Sequence, residues 1–442
     1  MTPERVTFKR PREGEYFDAG ELTRLTGKSS REFPAATLKE LVDNGLDACE
    51  AAGVAPWIII ERSVEDGSMW LTVSDNGPGI APATVEGMLD FTQYVSDKEA
   101  YVSPTRGAQG NALKTVIGMP HALYSRQPRL CTARGIRHAI YTEADPAGHV
   151  DISCDSEEVA HEPGTSWTVA FPVSKRYHFD PLWWAKSYAF VNPHATFEVI
   201  EQANSNVTGE GEIYKSANPD FKKWLPHHPT PPHWYGPEEL NKLVHSHIAH
   251  AEAGGRDLPL GEFVRQFHGL KSSTKAKNVT DYMPGISHLS DLKGREIEVG
   301  NLLDAMQNHS KPPKHDALGR VGEDYFRECM QRFYGIRKNF RYAHIHGYER
   351  GLPFVFEVAV AATEEPGEVH HAINHAPTDS DPFTDQLFEG DKIEGEGLRG
   401  FAHDADAWGR YGENHIAVIA HLIHPAPDYT NKGKSKVNLR ED

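Results

Sequence analysis

Three stretches decide how this chain reads: TLKELVDNGLDACEAAG (residues 37–53), WLTVSDNGPGIAP (residues 70–82) and TRGAQGNALKT (residues 105–115). The first has helical spacing. Leu38, Leu41, Val42 and Leu46 form an apolar stripe, while Glu40, Asn44 and Asp47 fall at i, i+4 and i+7 on the opposite face. Thr37 and Glu40 stand at capping-box spacing, so the helix is expected to open at residues 36–37. The second stretch is a strand ending at Asp75, turned away by Asn76-Gly77-Pro78-Gly79, where glycine lets the backbone approach a ligand closely. The third is a glycine loop feeding a helix near Asn111. Free N–H groups and the helix dipole both favour an anion at such a place. Alone that loop is a weak signal, being neither GxxxxGK[ST] nor a strand-linked GxGxxG.

Composition sets the bounds. At 442 residues the chain has room for two or three domains, each with its own core. It has no run of about 18 apolar residues and so no membrane-spanning stretch. The first residues, MTPERVTFKRPREGEYF, lack the apolar segment of a secretory signal. Cys49, Cys131, Cys154 and Cys329 are scattered without a CxxC pair, the pattern of reduced thiols in a cytoplasmic protein. A net charge of −17 argues against a surface that coats DNA over its whole area. His245, His247 and His250 share one helical segment, but no fixed carboxylate or cysteine stands near them, so they read as solvated or capping histidines.

Along the chain, residues 1–36 read as an irregular arm. WIIIERSV (57–64) and MWLTVSD (69–75) read as a hairpin joined by EDGS. Further strands are expected at 138–144, 149–154, 165–173 and 195–200, with a helix at 180–192 closing a first domain at about residue 205. The polar, Pro- and His-rich segment 206–235 reads as a linker or an ordered loop crossing, and 236–310 as short helices. KSSTKAK (271–277) reads as a basic, solvated loop between them. Residues 311–442 read as a further α/β domain ending in a basic tail.

Hydrolysis of a nucleoside triphosphate needs a general base near the terminal phosphate, an oxygen ligand for a metal, and an acceptor that reads the purine. Glu40 can polarise a water, Asn44 can ligate magnesium, and Asp75 can accept from an adenine amino group. Gly77 and Gly79 leave room for base and sugar, and the loop from Gly107 to Gly110 can close as a lid.

ExxxN (Glu40 to Asn44), DxGxG (Asp75 to Gly79) and the late glycine loop, in that order, resemble the GHKL ATPases: type II topoisomerase ATPase subunits, Hsp90, MutL and histidine kinases. Gly164-Thr165 resembles that superfamily's fourth motif, which places a threonine beside the adenine-reading aspartate. The resemblance implies an α/β sandwich that binds ATP and Mg2+. Asn44 would be the metal ligand, and Asp47, Asp75, Gly77, Gly79, Ile80, Arg106, Gly107, Gln109, Gly110, Asn111, Ala112, Lys114 and Thr165 would line the nucleotide. Lys114 takes the place of a serine in the family's lid motif.

ELVDNGLDA (40–48) and VNPHATFEV (191–199) further resemble the B subunits of topoisomerase VI. INHAP (373–377) and GKSK (433–436) fall where that family carries its transducer segments. This implies a small helical insert of the helix–two-turn–helix type and an α/β transducer domain. It also implies an ATP-dependent homodimer that exchanges its N-terminal arm, a switch lysine at Lys434 (with Lys432 and Lys436 as alternatives), double-stranded DNA, and a separate DNA-cleaving A-type subunit. The sequence ends soon after Ser435, before any long helix by which such a B subunit docks its partner, so the expectation is either a truncated chain or a partner gripped differently. An ATP-operated clamp without topoisomerase activity is the other reading.

Overall fold

The computed structural model describes residues 12–91, 100–106, 112–144, 149–177, 179–202, 211–383, 388–389, 392–393, 415–427, 429 and 437. A short 3-10 helix, Arg12–Tyr16, is followed by α1 (Ala19–Thr26) and α2 (Phe33–Ala52). Asp18 caps α1 by accepting from Gly20 N and Glu21 N, so the arm expected to be irregular is ordered from residue 12. Gly118 makes this fit possible: a Cβ there would lie 1.9 Å from the Tyr16 carbonyl oxygen.

Helix α2 starts a turn before the expected capping box. Phe33, Pro34, Ala35 and Ala36 are buried, and proline is tolerated in a first turn, where its missing N–H has no intrahelical role. Thr37 is therefore interior, fully buried with its hydroxyl 3.4 Å from Met119 Sδ. Burial of the extra apolar turn outweighs the cap. Gly53 ends the helix in the left-handed region at φ 68°, donating to Cys49 O and Glu50 O.

Strands β1 (Trp57–Glu65) and β2 (Ser68–Asp75) form the expected hairpin. Its two-residue turn has Asp66 and Gly67 both at positive φ, the geometry that matches strand twist. After α3 (Pro82–Met88) and α4 (Ala112–Ala122) come β3 (Arg129–Ala133), β4 (Ile136–Ala144), β5 (Val150–Glu158) and β6 (Thr165–Pro172). Then follow α5 (Pro181–Val191), β7 (Thr196–Gln202) and β8 (Glu212–Tyr214). They complete a mixed eight-stranded sheet in the order β5-β4-β3-β6-β2-β1-β7-β8, in which β1 and β7 run parallel. Helices α2 and α4 pack together and against it, giving the expected α/β sandwich.

The stretch read as a linker or ordered crossing carries a strand and buried side chains among its described residues. Strand β8 extends the sheet, and Lys223 and Trp224 are buried. Trp224 packs tilted against Trp234, ring centroids 4.7 Å apart, within the core of a helical unit made by α6 (Pro237–Glu252), α7 (Leu260–Arg265), α8 (Ser273–Thr280) and α9 (Glu296–Asn308). The basic cluster at 271–277 is largely on α8 rather than in a loop, with Ser272 capping the helix through Lys275 N.

The last unit pairs α10 (Glu323–Tyr334) with a five-stranded sheet of order β12-β11-β15-β10-β9. Its strands are β9 (Ile336–Glu349), β10 (Leu352–Thr363), β11 (Val369–Ile373), β12 (Ala376–Thr378) and β15 (Ile416–Ile423). The two-residue strands β13 (Phe388–Glu389) and β14 (Lys392–Ile393) pair with each other. Phe190 and Val191 of α5 are buried with Phe326, Met330 and Ala359, so α5 packs into the core beneath the second sheet as well as against β7 of the first.

Candidate functional site

Helix α2 and the end of β2 bring the predicted residues together. Leu38, Leu41, Val42 and Leu46 are at most 4% exposed, while Glu40, Asn44 and Asp47 remain partly exposed on the other face. Asn44 Nδ2 is buried and has no hydrogen-bond partner among the described residues. Such an orphaned amide is costly unless something binds to it.

Asp75 closes β2 beside this helix. Gly77 N donates to its Oδ1 at 2.8 Å and Thr165 N at 3.3 Å. Burial pushes the Asp75 carboxyl up to about 6 against the opposing pull of these two N–H donors. Gly45, beside Asn44, has a steric reason. A Cβ there would lie 3.1 Å from both Asp75 Cβ and Ile58 Cδ1. Gly164, at φ 90°, lets the start of β6 cross the end of β2, where a Cβ would lie 1.7 Å from Asp75 O. Gly79, at φ 73°, passes close to Gly164 O, and Ile80 N donates to Thr165 Oγ1 at 3.2 Å. Asp75, Gly77, Gly79, Ile80 and Thr165 thus form one interlocked corner.

Arg106, expected to line the nucleotide, is engaged in a buried ion-pair group. Its guanidinium is 1% exposed, with Nη1 donating to Asp47 Oδ1 at 2.6 Å and Nη2 to Glu50 Oε1 at 2.7 Å and Asn192 Oδ1 at 2.7 Å. Burial alone would lower its pKa, but Glu50 and Asp47 hold it above the ordinary value. Glu50 also receives Lys223 Nζ and His194 Nε2, each at 2.9 Å from Oε1. Burial works against the Glu50 charge, yet Arg106 and Lys223 keep its carboxyl well below the usual range. Lys223, fully enclosed beside Arg106, is lowered to about 8.

The network continues into the second sheet. Asn192 Nδ2 donates to His375 O at 2.9 Å, His375 N donates to His421 Nε2 at 3.2 Å, and His421 Nδ1 lies 3.4 Å from Glu357 Oε2. Sequence reasoning missed this group. The signal it could have used is Glu50, a charge three residues after Asp47 on a helix otherwise apolar at that height.

Lys114, expected to line the nucleotide, lies buried near two rings at the start of α4. It is 3% exposed, with its ammonium 5.6 Å from the Phe91 ring centroid and 6.0 Å from that of Tyr16. Burial lowers its pKa, with Asp90 opposing. Ala112 opens α4. Gly107, Gln109, Gly110 and Asn111, and Lys432, Lys434 and Lys436, lie outside the described residues.

The residues present fit magnesium nucleotide. Among the described residues no group of three His, Cys, Asp or Glu could hold a metal. A single amide oxygen at Asn44 suits Mg2+, which takes most of its ligands from phosphates and water. No helix of the described residues is long and apolar enough to cross a membrane.

Residues 30–173 match the family described as histidine kinase-, DNA gyrase B- and HSP90-like ATPase. Over most of its length the chain is similar to the B subunits of type 2 DNA topoisomerase 6. The Halobacterium salinarum protein is 28% identical over 227 residues, 49% of this chain and 28% of that protein. The Saccharolobus islandicus protein is 24% identical over 438 residues, 92% of this chain and 76% of that protein. The Methanosarcina barkeri protein is 27% identical over 347 residues, 74% of this chain and 52% of that protein. The chain thus carries a GHKL ATPase domain, and its homologues over most of its length are topoisomerase VI B subunits.

Proposed function

We propose that this chain is the ATP-hydrolysing subunit of a topoisomerase VI-like, type IIB enzyme. It would dimerise on ATP and gate double-stranded DNA for a separate DNA-cleaving A-type subunit. The observation that carries this reading is the buried path from Asp47 and Glu50 of α2 through Arg106 and Asn192 to His375 of the second sheet. A nucleotide site joined in this way to a second domain has the construction of a device that turns ligand occupancy into domain movement.

In this reading the ATPase domain spans residues 1–205, the helical insert 236–310 and the transducer-like domain 311–442, with 206–235 joining them. The Glu40 carboxylate accepts a proton from the attacking water. Asn44 holds the metal, and Asp75 accepts from the adenine amino group while Gly77 and Thr165 fix its other oxygen. Bound magnesium supplies charge neutralisation on the phosphates. Lys434 reaches the terminal phosphate from the transducer side and makes the contact that distinguishes ATP from ADP.

The test is DNA-stimulated ATP hydrolysis by the full chain, followed by supercoil relaxation after a candidate A-type subunit is added. Hydrolysis without relaxation, together with a non-cleaving neighbour in the complex, would favour the second reading, an ATP-operated clamp of a repair or defence complex. The net charge of −17 favours, in either reading, a complex in which the partner supplies most of the DNA contact, since phosphate affinity comes from Lys and Arg.

A further inference from the structure

The face of α2 that carries Asn44 looks onto a cleft of about 670 Å³ whose far side belongs to the helical unit. On the α2 side stand Asn44, Asp47, Ala48 and Ala51, at i, i+3, i+4 and i+7 and so on one stripe. Opposite them lies the loop 226–230, together with Gln266 at the end of α7, and Tyr101 closes the edge. Glu40 and Asp75 are not among the lining residues, so the cleft adjoins the corner that holds Asp75 and does not contain it.

This far wall is fixed at both ends. At one end the buried Lys223 ammonium pairs with Glu50 of α2 at 2.9 Å. Trp224 N donates to Leu318 O, and its ring packs on Trp234. At the other end the Thr230 and Tyr235 hydroxyls are 2.7 Å apart, and Val102 N donates to Tyr235 Oη at 3.2 Å. Ala100, Tyr101 and Val102 pack against the core of the helical unit rather than against the ATPase sheet. The 223–235 stretch is therefore strapped to α2 at its start and to the 100–102 segment at its finish, and the loop between is held facing Asn44.

We propose that loop 226–230 and Gln266 of the helical unit form a second wall of the nucleotide site, contacting the sugar–phosphate part of a nucleoside triphosphate held by Asn44. The cleft suits such a ligand. Ala48, Ala51, Tyr101, Pro226 and Pro229 offer apolar surface for a ribose, and His227, Thr230 and Gln266 offer polar groups opposite the orphaned Asn44 amide. Occupancy of the site then holds the helical unit against the ATPase domain, since one ligand touches both. This inference rests on the reading of Asn44 and Asp75 as nucleotide residues.

The test is calorimetry of the full chain with magnesium and a non-hydrolysable ATP analogue, comparing wild type, H227A/Q266A and Asp75→Asn. His227 and Gln266 are exposed, so their replacement leaves folding intact, which thermal melting of the free protein checks. The double variant is expected to bind about tenfold more weakly, the effect of losing one or two hydrogen bonds. Wild-type affinity in the double variant, with binding lost in Asp75→Asn, overturns the second wall alone. Absence of binding in wild type, or full binding by Asp75→Asn, overturns the nucleotide reading beneath it.

Discussion

Replacing Asp75 with asparagine should stabilise the free protein while destroying its ligand site. The carboxyl is raised from 3.8 to about 6 by burial, with the Gly77 and Thr165 N–H groups working against that rise. An acid whose folded pKa lies above its unfolded one destabilises the fold once ionised. That cost is absent below about pH 4, grows between pH 4 and 6, and is complete above pH 6. Two units at about 1.4 kcal/mol each set an upper bound of about 3 kcal/mol at pH 7. Asparagine keeps an oxygen for Gly77 N and Thr165 N but buries an amide in place of the second oxygen, so a net gain of about 1–2 kcal/mol is expected.

Denaturant melts of Asp75→Asn and wild type at pH 4 and pH 7 measure this difference, which should reverse at the lower pH, where the ionisation cost is gone and the buried amide leaves the variant about 1–2 kcal/mol the less stable. The same variant turns an amide NH2 toward the adenine amino group, donor against donor. Its affinity for the ATP analogue should fall about 100-fold. In wild type, affinity should rise with pH through about 6 and then level. Equal stability of the two proteins at pH 7, or affinity that does not change between pH 5 and 7, would refute the burial argument.

Glu40→Ala should abolish turnover while retaining analogue binding; retained hydrolysis in a coupled phosphate assay would remove Glu40 as the base. Arg106→Ala leaves Glu50 and Asp47 without their shared cation in a buried place. A loss of about 3–5 kcal/mol in urea unfolding is expected, and a loss under about 1 kcal/mol would contradict the hub. Gly164→Ala forces the backbone at the Asp75 crossing to shift. It should cost more than about 2 kcal/mol and weaken analogue binding, both read from melts with and without ligand. Lys434→Ala should lower kcat with affinity kept; if only Lys436→Ala does so, the switch lysine is misassigned.

The legible parts of this site share a physical property: each is written by neighbours close in sequence. Glu40, Asn44 and Asp47 fall on one helix face by periodicity alone, and Asp75 with Gly77 and Gly79 marks a strand end by turn chemistry. Thr37 misleads for the same reason. Its capping spacing is local, whereas the burial of residues 33–36 that overrides it depends on what packs there. Lys114 has the composition of a phosphate ligand, and its position over Tyr16 and Phe91 depends on how residues 12–16 fold back onto α4.

The sequence by itself determined the ATPase class, the sandwich, the helix that bears the polar stripe and the corner around Asp75, because periodicity and glycine turns act over a few residues. Only the tertiary structure decided what Arg106 does. Glu50, Asn192, Lys223 and His375 come from four separated parts of the chain, and no spacing rule relates them. Once buried together, their charges and amides have no water to turn to and must satisfy one another. That requirement joins the ATPase domain, the strapped 223–235 segment and the second sheet at one guanidinium.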